Sequence, residues 1–238
     1  MDKPALISLT FDDGLRCQFE RAVPILDQHG FSATFFLVAN SDSIHTDGCS
    51  HPDWAKTTWS EEDKQFLKQM VRRGHEVGAH SVHHRHPFLD KDPKSEAEGS
   101  RRWIEDRLEV EVPSYCYPFC HVTLPIKSAV IGAGYKQARG GASSAYYAPQ
   151  DPVDLFNVDC RFVAETDHVD GWLRPDRWHI LTFHGIGTLA DGWAPVTVAQ
   201  FAAQMAELAQ RREAGAVEVV TFKEGAGRLR TNANRQEG

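Results

Sequence analysis

Along almost its whole length the chain alternates apolar, β-branched runs with segments of helical periodicity, and this alternation limits the folds open to it more than any other feature. The runs are ALISLTF (5–11), SATFFLV (32–38), EVGAH (76–80), SYCYPF (114–119), YKQAR (135–139), LFNVDCRFV (155–163), HILTFH (179–184) and VEVVTF (217–222). Several are continuously apolar, as strands of a parallel sheet must be when both faces are covered. Alternating β and α units predict one α/β domain on a parallel sheet or barrel, without an internal linker.

The intervening segments carry helix signals. Ser60 with Asp63 three residues on resembles a capping box; Phe66, Leu67, Met70 and Val71 form a stripe, and Gly74 supplies the stop. Thr197 opens a second helix, with Val198, Phe201, Met205 and Leu208 on one face and Gly215 as terminator. Residues 16–29 predict a helix kinked or shortened by Pro24, and 93–111 a charged helix with Trp103, Ile104 and Leu108 inward. The polar stretch 40–59 is too long for a simple connection, and loops of that length in compact domains are often functional. His45, His51, Trp54 and Trp59 lie on it and are candidates to line a cleft. The domain is expected over 1–230, with TNANRQEG (231–238) as a flexible tail.

A formal net charge of −7 argues against a general nucleic-acid or membrane-surface binder. No apolar stretch approaches the length of a membrane span. Cys17, Cys49, Cys116, Cys120 and Cys160 make an odd count without a CxxC pair, which is no disulfide framework and favours a reducing compartment, a single bridge being the alternative. The chain opens on a strand with no basic-then-apolar leader and so reads as cytoplasmic; a secreted protein trimmed of its leader would read the same. The oligomeric state is left open.

The chemistry gathers at two strand ends. In TFDDG (10–14) the backbone is already turning and Gly14 permits a sharp turn, so Asp12 and Asp13 can reach one site despite strand alternation. Two like charges in one pocket repel unless a cation accompanies them. Alone, Asp-Asp-Gly is an ordinary polar turn. The second stretch, GHEVGAHSVHHRHP (74–87), holds five of the chain's 12 histidines. His80 and His84 are four apart, and on a helical turn that spacing puts both imidazoles on one face, where they grip a single divalent ion. His80 also closes a strand, where α/β folds place their sites. Together the two strand ends favour a metal site, with His75, His83 and His86 structural or peripheral. Two imidazoles and one carboxylate leave a coordination position open, and the second carboxylate is free to take a proton from an activated water.

In order along the chain, TFDDG, HSVHH, YPF and HGI resemble the motifs of the polysaccharide deacetylases of the NodB-homology type, carbohydrate esterase family 4, over roughly residues 5 to 222. The resemblance implies a NodB-like fold, a single distorted (β/α) barrel of mainly parallel strands with helices outside and its site at the strands' C-terminal ends. It implies Asp12 as catalytic base, Asp13, His80 and His84 as metal ligands, and Ser81 as a brace between the histidines. Cys116-Tyr117-Pro118-Phe119 aligns with the third motif; Pro118 and Phe119 match, and the Phe119 N–H would polarise the substrate carbonyl. Cys116 stands where the family has the arginine that orients the base. Arg139, ending the next strand, is a candidate to supply that guanidinium, the alternative being a surface arginine. His184 becomes the candidate general acid, with Thr182 in place of the family's leucine. Asp159 is the nearest match to the aspartate that tunes this histidine. Trp193 is a candidate wall of the acetyl or sugar pocket, or else a packing anchor.

The implied reaction is metal-dependent hydrolysis of an acetyl group. Zinc is the first choice of ion, and mixed His/Asp ligation also suits cobalt, nickel or iron. The expected substrate is an N-acetyl amino sugar in an oligo- or polysaccharide. Acetylated xylan-type esters and small non-sugar amides are the enzymatic alternatives. An inactive sugar-binding module is the non-enzymatic one, opposed by the presence of Asp12, Asp13, His80, His84 and His184 together.

Overall fold

β1 (Ala5–Phe11) is the hub of the sheet, paired in parallel with β2 (Thr34–Leu37), β8 (Trp178–Phe183) and β9 (Val217–Val219). The structure is a computed structural model describing residues 3–40, 59–86, 90–141, 146–147, 153–171 and 173–236. From β2 the sheet continues in parallel through β3 (Glu76–Ala79), β4 (Ser114–Cys116) and β5 (Gln137–Arg139). On the other side, β8 takes β7 (Arg161–Phe162) in parallel and the short β6 (Tyr146–Tyr147) antiparallel. Val158 bridges Arg139, accepting from Gly140 N–H at 2.9 Å and donating to the Ala138 carbonyl at 3.0 Å. The segment entering β7 therefore touches both ends of the run of strands, and the sheet curls into a distorted barrel.

Strand alternation decides what faces where. Ile7, Leu9 and Phe11 of β1 are buried in the larger core, under α1 (Val23–Gln28), α2 (Glu61–Arg72), α3 (Pro93–Leu108), α4 (Leu124–Gly132) and α5 (Val198–Glu213). Ser8, Thr10 and, beyond the strand, Asp12 fall on the other face. There Phe36, Cys116, Cys160, Trp178, Ile180 and Phe222 form a second, smaller core inside the barrel. Its lower end is filled by α6 (Phe222–Gln236), and Trp178 Nε1 donates to Ser8 Oγ at 3.0 Å. The upper end is polar: Thr10 and Thr182 share a hydrogen bond of 2.9 Å beneath Asp12.

The helix signals act where the sequence puts them. Ser60 Oγ accepts from Asp63 N–H at 3.1 Å and Thr197 Oγ1 from Gln200 N–H at 3.2 Å. The expected helix at 16–29 is a π-turn (Gln18–Ala22) leading into α1, with Pro24 in the first turn, where its missing N–H costs no bond. β1 fills its apolar run, whereas β2, β3, β4 and β9 end before theirs, and of LFNVDCRFV only Arg161–Phe162 form a strand, with the Val158 bridge before them. The tail expected from residue 231 is helical as far as Gln236. Residues 41–58, with His45, Cys49, His51 and Trp54, lie outside the described residues, whereas Trp59 packs against the larger core. Among the described residues no helix is long and apolar enough to cross a membrane.

Candidate active site

Backbone conformation answers how Asp12 and Asp13 serve one site. Asp12 continues the inward face of β1, its N–H still bonded to the Phe183 carbonyl at 3.1 Å. Asp13 has φ 74°, in the left-handed region, and this turns its carboxylate back to the same side. Of the nine non-glycine residues with positive φ among the described residues, five stand here: Asp13, Ser81, His84, Phe119 and Cys120. Such strain persists only where the surroundings over-determine it, and it collects at functional sites.

His80 and His84 meet by a route other than the helical turn their spacing predicts. Residues 80–84 form no helix; the chain leaves β3 and doubles back through Ser81 (φ 64°) and His84 (φ 51°). Ser81 Oγ accepts from His84 N–H at 2.8 Å and fixes the loop. Buried Glu96 of α3 anchors it from outside, accepting from Val82 and His83 N–H at 2.9 Å each and bonding the His83 imidazole at 2.5 Å. His83 is thereby structural. So is His75, which accepts from Ala33 N–H at 3.2 Å and faces Asp27. His86 lies at the rim, its ring 5.0 Å from Phe119.

Asp13 Oδ1 lies 3.5 Å from Nε2 of both His80 and His84. The residues fit a metal ion on three counts. Donors about 2.0–2.1 Å from a tetrahedral zinc lie roughly 3.4 Å from one another, close to the separation found here. His80 Nδ1 bonds the Cys116 carbonyl at 2.9 Å, a partner of the kind that orients a ligating imidazole, and this leaves Nε2 as the ring nitrogen facing Asp13 and the ion position. Burial, with His80 alongside, pushes His84 down to about 4, so its imidazole is neutral at physiological pH. At His80 burial is outweighed by Cys116 and Asp13, which raise it; at Asp13 burial is outweighed chiefly by the hydrogen bond to His80, which holds it well below the usual carboxylate range. A second grouping of donors, Asp12, His80 and Cys116, fits no ion: His80 Nδ1 is committed, and a guanidinium already rests on the other two.

That guanidinium belongs to Arg139. The residue is fully buried; Nη2 donates to Asp12 Oδ2 and to Cys116 Sγ (2.7 Å), and Nη1 to Cys160 Sγ (2.8 Å) and Thr182 Oγ1 (2.9 Å). The surface alternative for Arg139 is therefore overturned. Asp12 Oδ1 is buried and has no hydrogen-bond partner among the described residues. One carboxylate oxygen is anchored and the other is free to accept.

His184 follows β8 on the same inward face as Thr182. Its Nε2 is 3.7 Å from Asp12 Oδ2, and its ring lies 4.8 Å from half-exposed Trp193 and 5.6 Å from Phe162. Burial lowers its basicity, and Asp12 and Asp13 oppose that. Phe119, φ 57°, holds its ring 4.7 Å from His84 at the turn opened by buried Pro118. Tyr117 is buried in the larger core, its hydroxyl donating to the Phe156 carbonyl at 2.9 Å, so its ring supports the turn from behind. Asp159 donates its N–H to Tyr147 Oη at 2.7 Å, and its carboxylate lies against Gly141. The sequence reading missed Cys160 and Thr182 as supports of Arg139, and it missed Gln18, whose amide donates to the carbonyls of Asp12 and His184. Only Thr182, polar where a leucine was expected, carried a signal.

The fold recurs in solved proteins of low identity. The chain aligns with the Xyl-CE4 domain of a multidomain xylanase from the hindgut metagenome of Trinervitermes trinervoides at TM-score 0.60 and 17% identity, covering 93% of this chain and 89% of that one. Peptidoglycan deacetylase PdaC from Bacillus subtilis aligns at TM-score 0.60 and 18% identity, over 99% and 94% of the two chains. Among curated proteins none matches. The family model "Polysaccharide deacetylase" matches residues 2–138, a stretch that includes Asp12, Asp13, His80, His84 and Phe119 and ends one residue before Arg139. That match covers more than half of the sequence and agrees with the barrel and with the grouping at its upper end: this chain belongs to the polysaccharide deacetylase family.

Proposed function

We propose that the protein is a divalent-metal-dependent hydrolase that removes acetyl groups from N-acetyl amino sugars in oligo- or polysaccharides. One observation carries the reading: the Asp13, His80 and His84 donors converge beside an Asp12 carboxylate anchored through one oxygen and open at the other. Asp13, His80 and His84 would hold the ion, zinc by first choice for this donor set. A divalent ion bound there supplies Lewis-acid polarisation of a carbonyl and lowers the pKa of water.

The chain's own residues divide the remaining work. Asp12 Oδ1 takes a proton from the attacking water, while Arg139 on Oδ2 fixes the carboxylate in orientation. The Phe119 N–H serves the developing oxyanion. His184, across the site from the ligands, returns a proton to the departing amine. Trp193 and Phe162 form an apolar wall beside His184, suited to an acetyl methyl or a sugar face. The names of the two aligned structures, one carrying a xylanase's domain and one a peptidoglycan deacetylase, are consistent with a carbohydrate substrate.

The test is acetate release from N-acetyl chito-oligosaccharides, peptidoglycan fragments and acetylated xylan, with and without chelator. Release that stops with chelator and returns with zinc or cobalt supports the reading, and the panel ranks amide against ester. A protein that holds one metal yet releases acetate from none of these sugars is not a carbohydrate deacetylase.

A further inference from the structure

Asp12 and His184 each follow the last ladder pair of two neighbouring strands, Phe11 of β1 and Phe183 of β8. Their carbonyls are the first past the ladder, and buried carbonyls need donors. A single side chain serves both. Gln18 Nε2 donates to the Asp12 carbonyl at 2.6 Å and to the His184 carbonyl at 2.9 Å. Gln18 is fully buried, and because both partners are pure acceptors its amide has one possible orientation, nitrogen toward the strand ends.

The element delivering Gln18 is the π-turn after TFDDG, closed by Val23 N–H on the Gln18 carbonyl. Single π-turns inside helices recur at functional sites. Its neighbours bind the loop that follows His184. Cys17 Sγ donates to the Asp191 carbonyl at 3.2 Å and accepts from Ile186 N–H at 3.3 Å. Arg21 Nη1 donates to the Ile186 carbonyl at 2.8 Å and pairs with the Asp191 carboxylate at 2.9 Å. The same loop carries Trp193, the wall beside His184. One turn of chain thus laces the end of β1 to the end of β8.

We infer that Gln18 is a positioning residue: by bonding both carbonyls it sets the separation of Asp12 and His184, with Cys17 and Arg21 fixing the loop between His184 and Trp193. The inference rests on the acid–base roles proposed above. A bond from Gln18 to one carbonyl alone would steady one strand end; a shared nitrogen makes the position of each depend on the other.

Gln18→Met removes both donors at nearly constant volume. In the metal-loaded enzyme kcat should fall about 10- to 100-fold, the cost of misplacing reacting groups by a fraction of an ångström to one ångström, with KM within about twofold. Metal content should be unchanged, since Asp13, His80 and His84 are untouched. Gln18→Glu sets a carboxyl against two acceptors; protonated it keeps one bond, ionised it repels both, so its activity should fall with rising pH through an ionisation absent from the wild type. Without any substrate, Gln18→Met should speed hydrogen exchange of peptides covering 184–193 and leave α5 unaltered. Unchanged kcat in folded, metal-loaded Gln18→Met, or unchanged exchange over 184–193, overturns the inference. Should that variant fail to fold, Gln18→Glu at low pH carries the test. Absence of acetate release by the wild type would defeat the proposed function, and the exchange measurement would still decide whether the clamp exists.

Discussion

Arg139 ends β5 and Asp12 follows β1, four places along the sheet, yet the guanidinium of one bonds the carboxylate of the other across the barrel interior. The crossing is made possible by what surrounds it. Cys116, at the place of the family's arginine, is small and accepts from Nη2. Thr182, at the place of the family's leucine, offers Nη1 an oxygen where leucine would offer methyls. Cys160 accepts from Nη1 beside it. Three residues unlike the expected pattern, Cys116, Arg139 and Thr182, thus form one compensated set.

Arg139→Ala therefore leaves Asp12 as a buried charge without its partner. Removing one member of such a pair costs about 3–5 kcal/mol of stability, and turnover should drop by about 100-fold or more as the base loses its orientation. Arg139→Lys should recover little, because one ammonium cannot span Asp12 and Thr182 as the two arms of the guanidinium do. Thermal melting and kcat/KM of both variants decide it; full turnover by Arg139→Ala would remove the arginine from the site's machinery.

The two aspartates should separate cleanly by metal analysis. Asp12→Asn keeps Asp13, His80 and His84 and should retain one bound ion, while turnover falls by about 10²- to 10⁴-fold with the loss of a general base. His84→Ala or Asp13→Ala should lose the ion and the activity together. Metal content by mass spectrometry, beside acetate release, reads both. Loss of metal in Asp12→Asn would exchange the roles assigned to the pair.

His75 predicts a pH-dependent part of the stability. Burial pushes this imidazole below its ordinary 6.5, against the pull of Asp27. As pH falls the unfolded chain takes up the proton first, so the contribution is complete above about 6.5 and is lost as pH falls through the lower, folded value. Urea unfolding at pH 7.5 and 5 should show a smaller loss of stability in His75→Phe than in the wild type. Equal losses in the two proteins would show that His75 is not the group responsible.

How much of this was legible in the sequence follows from the range of each signal. β1 reads from its apolar run because its last five residues, Ile7–Phe11, are buried on both faces, and the caps at Ser60 and Thr197 read because a cap bonds three residues away. The grouping of Asp13, His80 and His84 was readable from motif order, but its geometry was not. The i, i+4 argument supplies a helix, whereas the chain uses two left-handed residues, Ser81 and His84, which composition does not announce. Gln18 left no trace, because an amide that bonds two main-chain carbonyls demands nothing of its partners' side chains. Asp159 was chosen by nearness to a motif; its N–H bonds Tyr147 Oη, and its carboxylate lies against Gly141.

Gly225 offers a test of the packing beneath the site in which the sign is the result. It lies in α6 with its Cα against the indole of Trp178, and a Cβ there would stand 2.6 Å from Cζ2, well inside contact distance. In an open helix Gly→Ala stabilises by roughly 0.5–1 kcal/mol, since glycine loses more backbone freedom on folding. Here the added methyl must displace Trp178, which is packed between Ser8 and Phe222. Overpacking of that kind costs about 1–3 kcal/mol. Gly225→Ala should therefore destabilise, whereas Gly227→Ala, two residues on and with open space around its Cβ position, should stabilise. Because Trp178 and Thr182 lie on the same face of β8, the shift should also reach the support of Arg139 and lower kcat in Gly225→Ala alone. Equal, positive changes in stability for the two variants would mean that Trp178 yields easily and that the lower end of the barrel does not brace the upper.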